Sequence, residues 1–233
     1  MRGLAAAAIA AGYGLAVAAV VARRRVGRPW WLAAVVAGAI VFPLCVLLFN
    51  PIQTLIATLF GWDVDAYSSS LGIGLIGAAV AATINEIVKL AAALVVASQD
   101  RVDPDAAVYG AAVGAGYGAV GAYQVLSLAL IARGLPIGQP DVLTVPLVQQ
   151  FAFVAANAAS TALAAYGATH GRLVPYLLAA IAYQTLYGLL SVLFTMGLFA
   201  TVVWTAIGAA VGLALLAYAA ALSSRPAVPP PPA

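Results

Sequence analysis

Glu86 and Lys89 lie one helical turn apart inside a long apolar run, LGIGLIGAAVAATINEIVKLAAALVVA, residues 71–97. Their i,i+3 spacing lets them pair on one helix face. Their types admit three kinds of chemistry. Glu86 could be a ligand or general base in metal-assisted hydrolysis, which needs about three protein ligands and an activated water. Lys89 could act as the base of a Ser–Lys dyad with Ser160 or Ser127. A serine triad would need a histidine at the same depth. The rest of the chain argues against each. The one histidine, His170, falls in ATHGR between two apolar runs, and no second carboxylate lies within any apolar run. A salt bridge to Glu86 would leave Lys89 a cation rather than a base. Glu86 and Lys89 are therefore catalytic only if the protein is an active peptidase, and catalysis is not expected.

A charge at membrane depth costs about 2.5–3.5 kcal/mol on insertion scales, so such a pair needs a partner or a purpose. The other polar side chains within apolar runs are few. They are Asn85; Tyr117, Tyr123 and Gln124; Gln149, Gln150, Asn157, Ser160 and Thr161; and Tyr183, Gln184 and Tyr187. Asn157, Ser160 and Thr161 share a helix face. Hydrogen bonds between such residues contribute modestly, about 0.6–2 kcal/mol each. They could do no more than hold a bundle together. Alternatively, Asn85, Tyr117, Asn157 and Gln184 line a polar binding cavity around the Glu86–Lys89 pair.

Positioning these residues is the work of membrane helices. Of 233 residues, 65% are hydrophobic and 7% charged, against about 25% charged in a soluble domain. The mean hydropathy is +1.07. This composition excludes a soluble protein and predicts an all-α, polytopic transmembrane bundle in the cell membrane, with the lipid bilayer as its surroundings. The single cysteine, Cys45, excludes an intrachain disulfide and cannot make a zinc site alone.

A span needs about 20 apolar residues. Seven candidates are 3–22, 30–49, 71–97, 106–132, 146–168, 173–192 and 195–222, with six as the fallback because the last two are barely separated. The first carries its charge after the apolar core, unlike a signal peptide, and is expected to be a retained helix. Residues 51–62 (PIQTLIATLFGW) are too short to span and predict an interfacial or re-entrant helix with Trp62 at headgroup level. Pro43 should kink the second span. One transmembrane domain, 1–222, is followed by a disordered Pro-rich tail, 223–233. The run RRRVGR is a topology signal rather than a nucleic-acid site. With Arg23, Arg24, Arg25, Arg28, Arg101, Arg172 and Arg225 inside, only Arg2 and Arg133 fall outside. That places the N-terminus outside and the C-terminus inside. In YGAAVGAGYGAVGAY, the four-residue spacing of Gly110, Gly114 and Gly118, with Gly121 a further turn along, predicts close helix packing.

Several of these segments, in this order, resemble the YhfC and PrsW type of intramembrane metallopeptidase, relatives of the CAAX-protease group. A first span, an arginine-rich loop and a span ending FPLCVLLFNPIQTLI are followed by N-E-x-x-K (Asn85, Glu86, Lys89), similar to the family's E-E-x-x-[KR]. The glycine-rich run is similar to its G-x-G-[HF]-G-x-x-E. Asn157 and Gln184 stand where the family tends to have histidines. The departures matter as much. Asn85 replaces the first acid, Gly121 replaces the acid closing the glycine motif, Tyr117 takes its aromatic position, and Gly188 replaces a further acid. The resemblance thus implies the fold and argues against the peptidase activity. Zinc is expected only if the peptidase reading holds, and otherwise no cofactor.

The function expected is that of a proteolytically degenerate relative, binding a hydrophobic peptide or a membrane-protein partner in an intramembrane polar cavity. The alternatives are a small-solute transporter or substrate-binding membrane subunit, an active intramembrane peptidase, and a scaffold in which the pair fixes helix register. No nucleic-acid partner is expected.

Overall fold

A computed structural model describes residues 2–22, 29–63, 70–100, 105–132, 140–195 and 201–223. They form seven helices: α1 (Arg2–Val21), α2 (Pro29–Phe60), α3 (Leu71–Gln99), α4 (Ala106–Ser127), α5 (Pro140–Thr169), α6 (Leu173–Thr195) and α7 (Thr201–Ser223). A π-helical turn, Leu128–Ala132, continues α4. Arg23, Arg24, Arg25, Arg28, Arg101, Arg133 and Arg225 lie outside the described residues, as does the tail from 224, and with them the expectations they carry.

Helices are the open form that closes every backbone hydrogen bond within its own segment, as an apolar solvent demands. Six of the seven, α1 to α6, are long and apolar enough to cross a membrane, while the apolar stretch found in α7, Ala209–Ala221, is shorter. The molecule is a helical, apolar bundle of the kind an integral membrane protein forms. The break between the last two helices falls after Thr195, so Thr195 belongs to α6 rather than opening the last span.

One expectation fails. Residues 51–62 are not a separate interfacial helix: α2 runs unbroken for 32 residues through Pro43 and Pro51. Each proline removes a single backbone donor, which a long apolar helix tolerates in a membrane. At about 1.5 Å per residue the helix is roughly 48 Å long, well beyond the ~30 Å hydrocarbon thickness. Its end is built for a boundary. Gly61, at φ 64°, reverses the chain. The Trp62 N–H donates to the Ala57 carbonyl at 2.8 Å and Gly61 N–H to that of Thr58 at 3.3 Å, the Schellman pattern. Phe60 and Trp62 stack there at 4.8 Å.

Burial is uneven. In the most apolar stretch of each helix, 72% of α5 and 56% of α4 is buried, against 6% of α6. The centre is therefore the α4–α5 pair. Helices α1 and α2 pack on α4, α7 on α5, and α3 and α6 close the remaining side together. At the α4–α5 seam a Cβ on Gly110 would come within 2.7 Å of the Thr161 carbonyl oxygen, and one on Gly118 within 2.8 Å of the Val154 Cα. A Cβ on Gly114 would collide with the Asn157 backbone carbonyl. The glycine spacing is thus read out as backbone-to-backbone approach. Gly38 of α2 and Gly116 of α4 do the same at their own crossing.

The start of α4 is fixed by Asp105, whose carboxylate accepts from the N–H groups of Ala107 at 3.1 Å and Val108 at 3.3 Å. This satisfies donors that an open helix end leaves over. Tyr109 donates to the carboxylate of Asp100, which ties the first turn of α4 to the end of α3.

Candidate functional site

Glu86 and Lys89 fall on the inward face of α3, because the buried positions Ala82, Glu86, Lys89, Leu90 and Ala93 recur at helical spacing. Both are 0% exposed. The Lys89 ammonium donates to Glu86 Oε1 at 2.6 Å and to Asn157 Oδ1 at 2.8 Å. It also stands 4.9 Å from the centre of the Tyr117 ring. An ammonium has three protons and no acceptor. Two go to oxygens and the aromatic face takes up the remaining side as a cation–π contact.

Asn157 and Ser160 reach the pair from α5. The Ser160 hydroxyl donates to Glu86 Oε1 at 2.8 Å. Asn157 Nδ2 donates to the Phe153 carbonyl of its own helix at 2.9 Å, which aims its Oδ1 at Lys89. Gln184 completes the ring from α6. Its Nε2 donates to Asn157 Oδ1 at 3.2 Å and to Ser160 Oγ at 2.9 Å. Three helices thus share one hydrogen-bonded ring, and α4 supplies the aromatic wall.

Asn85 is half-buried beside the ring and interacts with the Tyr117 hydroxyl. Cys45, 1% exposed, packs with Val41, Phe42 and Tyr117 behind the lysine. The rings of Phe42 and Tyr117 lie 4.9 Å apart. Among the described residues, Glu86 Oε2 is buried without a hydrogen-bond partner, and so is the Tyr183 hydroxyl on α6.

The structure therefore brings together Glu86, Lys89, Asn157 and Gln184 by direct bonds and sets Tyr117 and Asn85 next to them. Tyr123 is not with them: it lines an apolar groove of about 350 Å³ between α1, α2 and α4. His170 is also elsewhere. It stacks on Tyr166 at 3.9 Å and its Nδ1 meets the Tyr166 carbonyl at 2.8 Å. That is about 20 Å along the helical rise from Asn157.

Sequence reasoning ranked two participants too low. Ser160 was visible as the i+3 neighbour of Asn157, a spacing that points both at one partner helix. Tyr183 precedes Gln184 and so belongs to the next face. Nothing in its local sequence says that its hydroxyl is buried without a hydrogen-bond partner among the described residues.

Both charges of the ring are sealed from solvent. The donor set also fits zinc poorly. One carboxylate, an ammonium and two amides stand together, amides bind zinc poorly, and the ammonium beside the carboxylate would repel a cation. Among the described residues no three histidine, cysteine, aspartate or glutamate side chains gather. At Gly121, where the resemblance expects an acid, a Cβ would stand 2.6 Å from the Phe153 ring and 3.0 Å from that of Phe42. At Gly188 it would touch Ala78 at 3.0 Å.

Fold and site together define a helical membrane bundle with a neutralised charge pair at its centre. No family model, curated protein or solved structure matches the chain.

Proposed function

We propose that this protein is a non-hydrolytic binding protein of the cell membrane, its N-terminus outside and seven spans across the bilayer. It engages a hydrophobic peptide or a segment of a membrane-protein partner at the polar ring. The resemblance to YhfC and PrsW-type peptidases belongs to this proposal, as a relationship of fold without the chemistry.

One observation carries the reading: Lys89 and Ser160, the candidate base and nucleophile of the ring, are already committed to other groups. Lys89 is held by Glu86 and Asn157, the Ser160 proton goes to the carboxylate, and two amides stand where metal ligands would be needed. A ring that only joined helices could be built from amides and hydroxyls at much lower insertion cost. Access would come between α3 and α6, since α6 is the least buried of the candidate spans.

Complete burial of the ion pair favours a second reading, in which the ring does nothing but lock the helices in register. The two separate in one experiment. The purified protein in lipid nanodiscs is titrated with a fluorescent, leucine-rich peptide of about 20 residues, and the peptide is then recovered for mass spectrometry. Saturable binding with the peptide intact is the expected result. No binding would leave the register lock. Cleavage that disappears in Glu86→Gln would restore the peptidase, as would about one zinc per chain lost in the same variant.

A further inference from the structure

Away from the polar ring, α1, α2 and α4 wall a groove of about 350 Å³. Ala7, Ala11 and Gly14 come from α1, Ala39 from α2, and Gly116 and Tyr123 from α4. All three helices are long and apolar enough to cross a membrane. They also expose Leu4 and Leu15, Val36 and Ile40, and Val125 and Leu128. The groove is thus continuous with an apolar surface of the kind a bilayer covers. Tyr123 supplies the one polar side chain of its wall. It is 40% exposed, and among the described residues its hydroxyl has no hydrogen-bond partner.

Size and polarity decide what can fill it. A helix about 10 Å across and 12 Å long needs roughly 900 Å³, so no helix enters. A water needs two to four polar partners, and the wall offers one polar side chain. Left empty, the wall would lose its dispersion contacts. A single hydrocarbon chain fits, and the volume lies at the low end for ligand pockets, about 300–1,000 Å³. The groove also has a direction. A Cβ on Gly14 would meet the Ala119 Cβ at 2.8 Å, and one on Gly3 the Ile131 Cδ1 at 3.6 Å, so α1 and α4 run antiparallel. Tyr123 therefore stands at the Ala7 end and Gly116 at the Gly14 end. Tyr123 is about 14 Å of helical rise before Ala132, and Gly116 about 24 Å. In a hydrocarbon layer ~30 Å thick, the groove runs from within one leaflet to near the midplane. A lipid has the same polarity, with its head outward and its chain end inward.

We infer that this groove binds one acyl chain of a membrane phospholipid. The methyl end lies towards Gly116 and the carbonyl end towards Tyr123, whose hydroxyl donates to the acyl carbonyl. A phenol joins an apolar ring to a polar tip, which suits the point where chain meets head. Alanine and glycine leave the room for the chain, since neither carries a side-chain atom beyond Cβ. The site is separate from the polar ring and stands whether or not a peptide binds there.

The test uses the full chain in phosphatidylcholine nanodiscs that contain a rising fraction of the same lipid with a diazirine near the end of one acyl chain. After illumination, labelled residues are mapped by mass spectrometry. Labelling of the α1 and α4 walls should saturate, while labelling at Val95, an exposed residue of α3, should rise in proportion to the probe. Ala7→Phe and Ala11→Phe each fill the groove from an exposed position. Both should abolish the saturable part and leave Val95 labelled as before. Tyr123→Phe should raise the half-saturating fraction about fivefold, the size of one hydrogen bond between neutral groups, at an unchanged melting temperature. Labelling of the groove that follows Val95 at every fraction and ignores both phenylalanines would mean ordinary bilayer contact only, and would overturn the inference. Label at Val95 with none in the groove would overturn it too, because protein, a second copy or a partner, would then cover the groove. An unmoved half-saturating fraction in Tyr123→Phe would remove the carbonyl contact.

Discussion

The two sides of the polar ring are held by opposite means. On one side, α4 and α5 meet through glycine and alanine, backbone against backbone, and most of both helices is buried. On the other side, α6 meets the ring through Gln184, and only 6% of its apolar stretch is buried. In lipid there is little hydrophobic drive between helices, so closeness of approach and polar bonds must do the holding. The first side uses approach and the second uses bonds. A seam of close backbone approach thus lies next to a helix whose apolar stretch stays for the most part partly exposed.

The comparison can be broken most severely at its centre. Lys89→Met strands Glu86 in the interior without its cation and should lower stability by about 3–5 kcal/mol, measured by thermal unfolding in detergent. Replacing both members, Glu86→Met with Lys89→Leu, should recover most of that loss. A double variant as unstable as the single would show that the pair itself, rather than the unpaired charge, holds the bundle. Gly114→Val comes next. It drives a branched side chain into the Asn157 carbonyl and should cost about 2–3 kcal/mol. Since Asn157 presents its Oδ1 to Lys89, the same variant should also weaken peptide binding. Gln184→Leu removes only two bonds from a helix with little other burial. It should cost about 0.6–1.7 kcal/mol, and hydrogen exchange should rise in α6 while α4 and α5 stay protected. If exchange rose equally in all three helices, the contrast between the two sides would be wrong. The smallest effect should be at Gly188, where a methyl would only press on the Ala78 side chain. Gly188→Ala should cost less than about 1 kcal/mol, near the low end for overpacking.

Much of this arrangement is legible in the chain. Hydropathy gives the helices, because apolar runs of this length have few alternatives in a membrane. The glycine spacing announces the α4–α5 seam. Mid-span placement puts Glu86, Lys89, Tyr117, Asn157 and Gln184 at similar depth, which is why they could be grouped before any contact was known. Depth does not fix rotation about the helix axis, however. Whether Ser160 turns towards Glu86 depends on how α5 crosses α3, and contacts between residues 74 positions apart are set by that crossing. The continuity of α2 was hidden for a related reason. Residues 51–62 are too short to span alone, and only the packed helix shows that they continue the span before them through Pro51.

The glycine and alanine seam has a further consequence for how the bundle assembles. Gly110, Gly114, Gly118, Ala158, Ala162 and Ala165 have no side-chain rotamers, so docking α4 on α5 freezes almost no side-chain motion. The polar ring must instead immobilise lysine, glutamate and glutamine, each of which forfeits up to about 2 kcal/mol of rotamer freedom. The seam therefore forms at low entropic cost and can come together first. It gives the longer side chains a fixed surface on which to order, and warming should loosen the α6 side well before it parts α4 from α5.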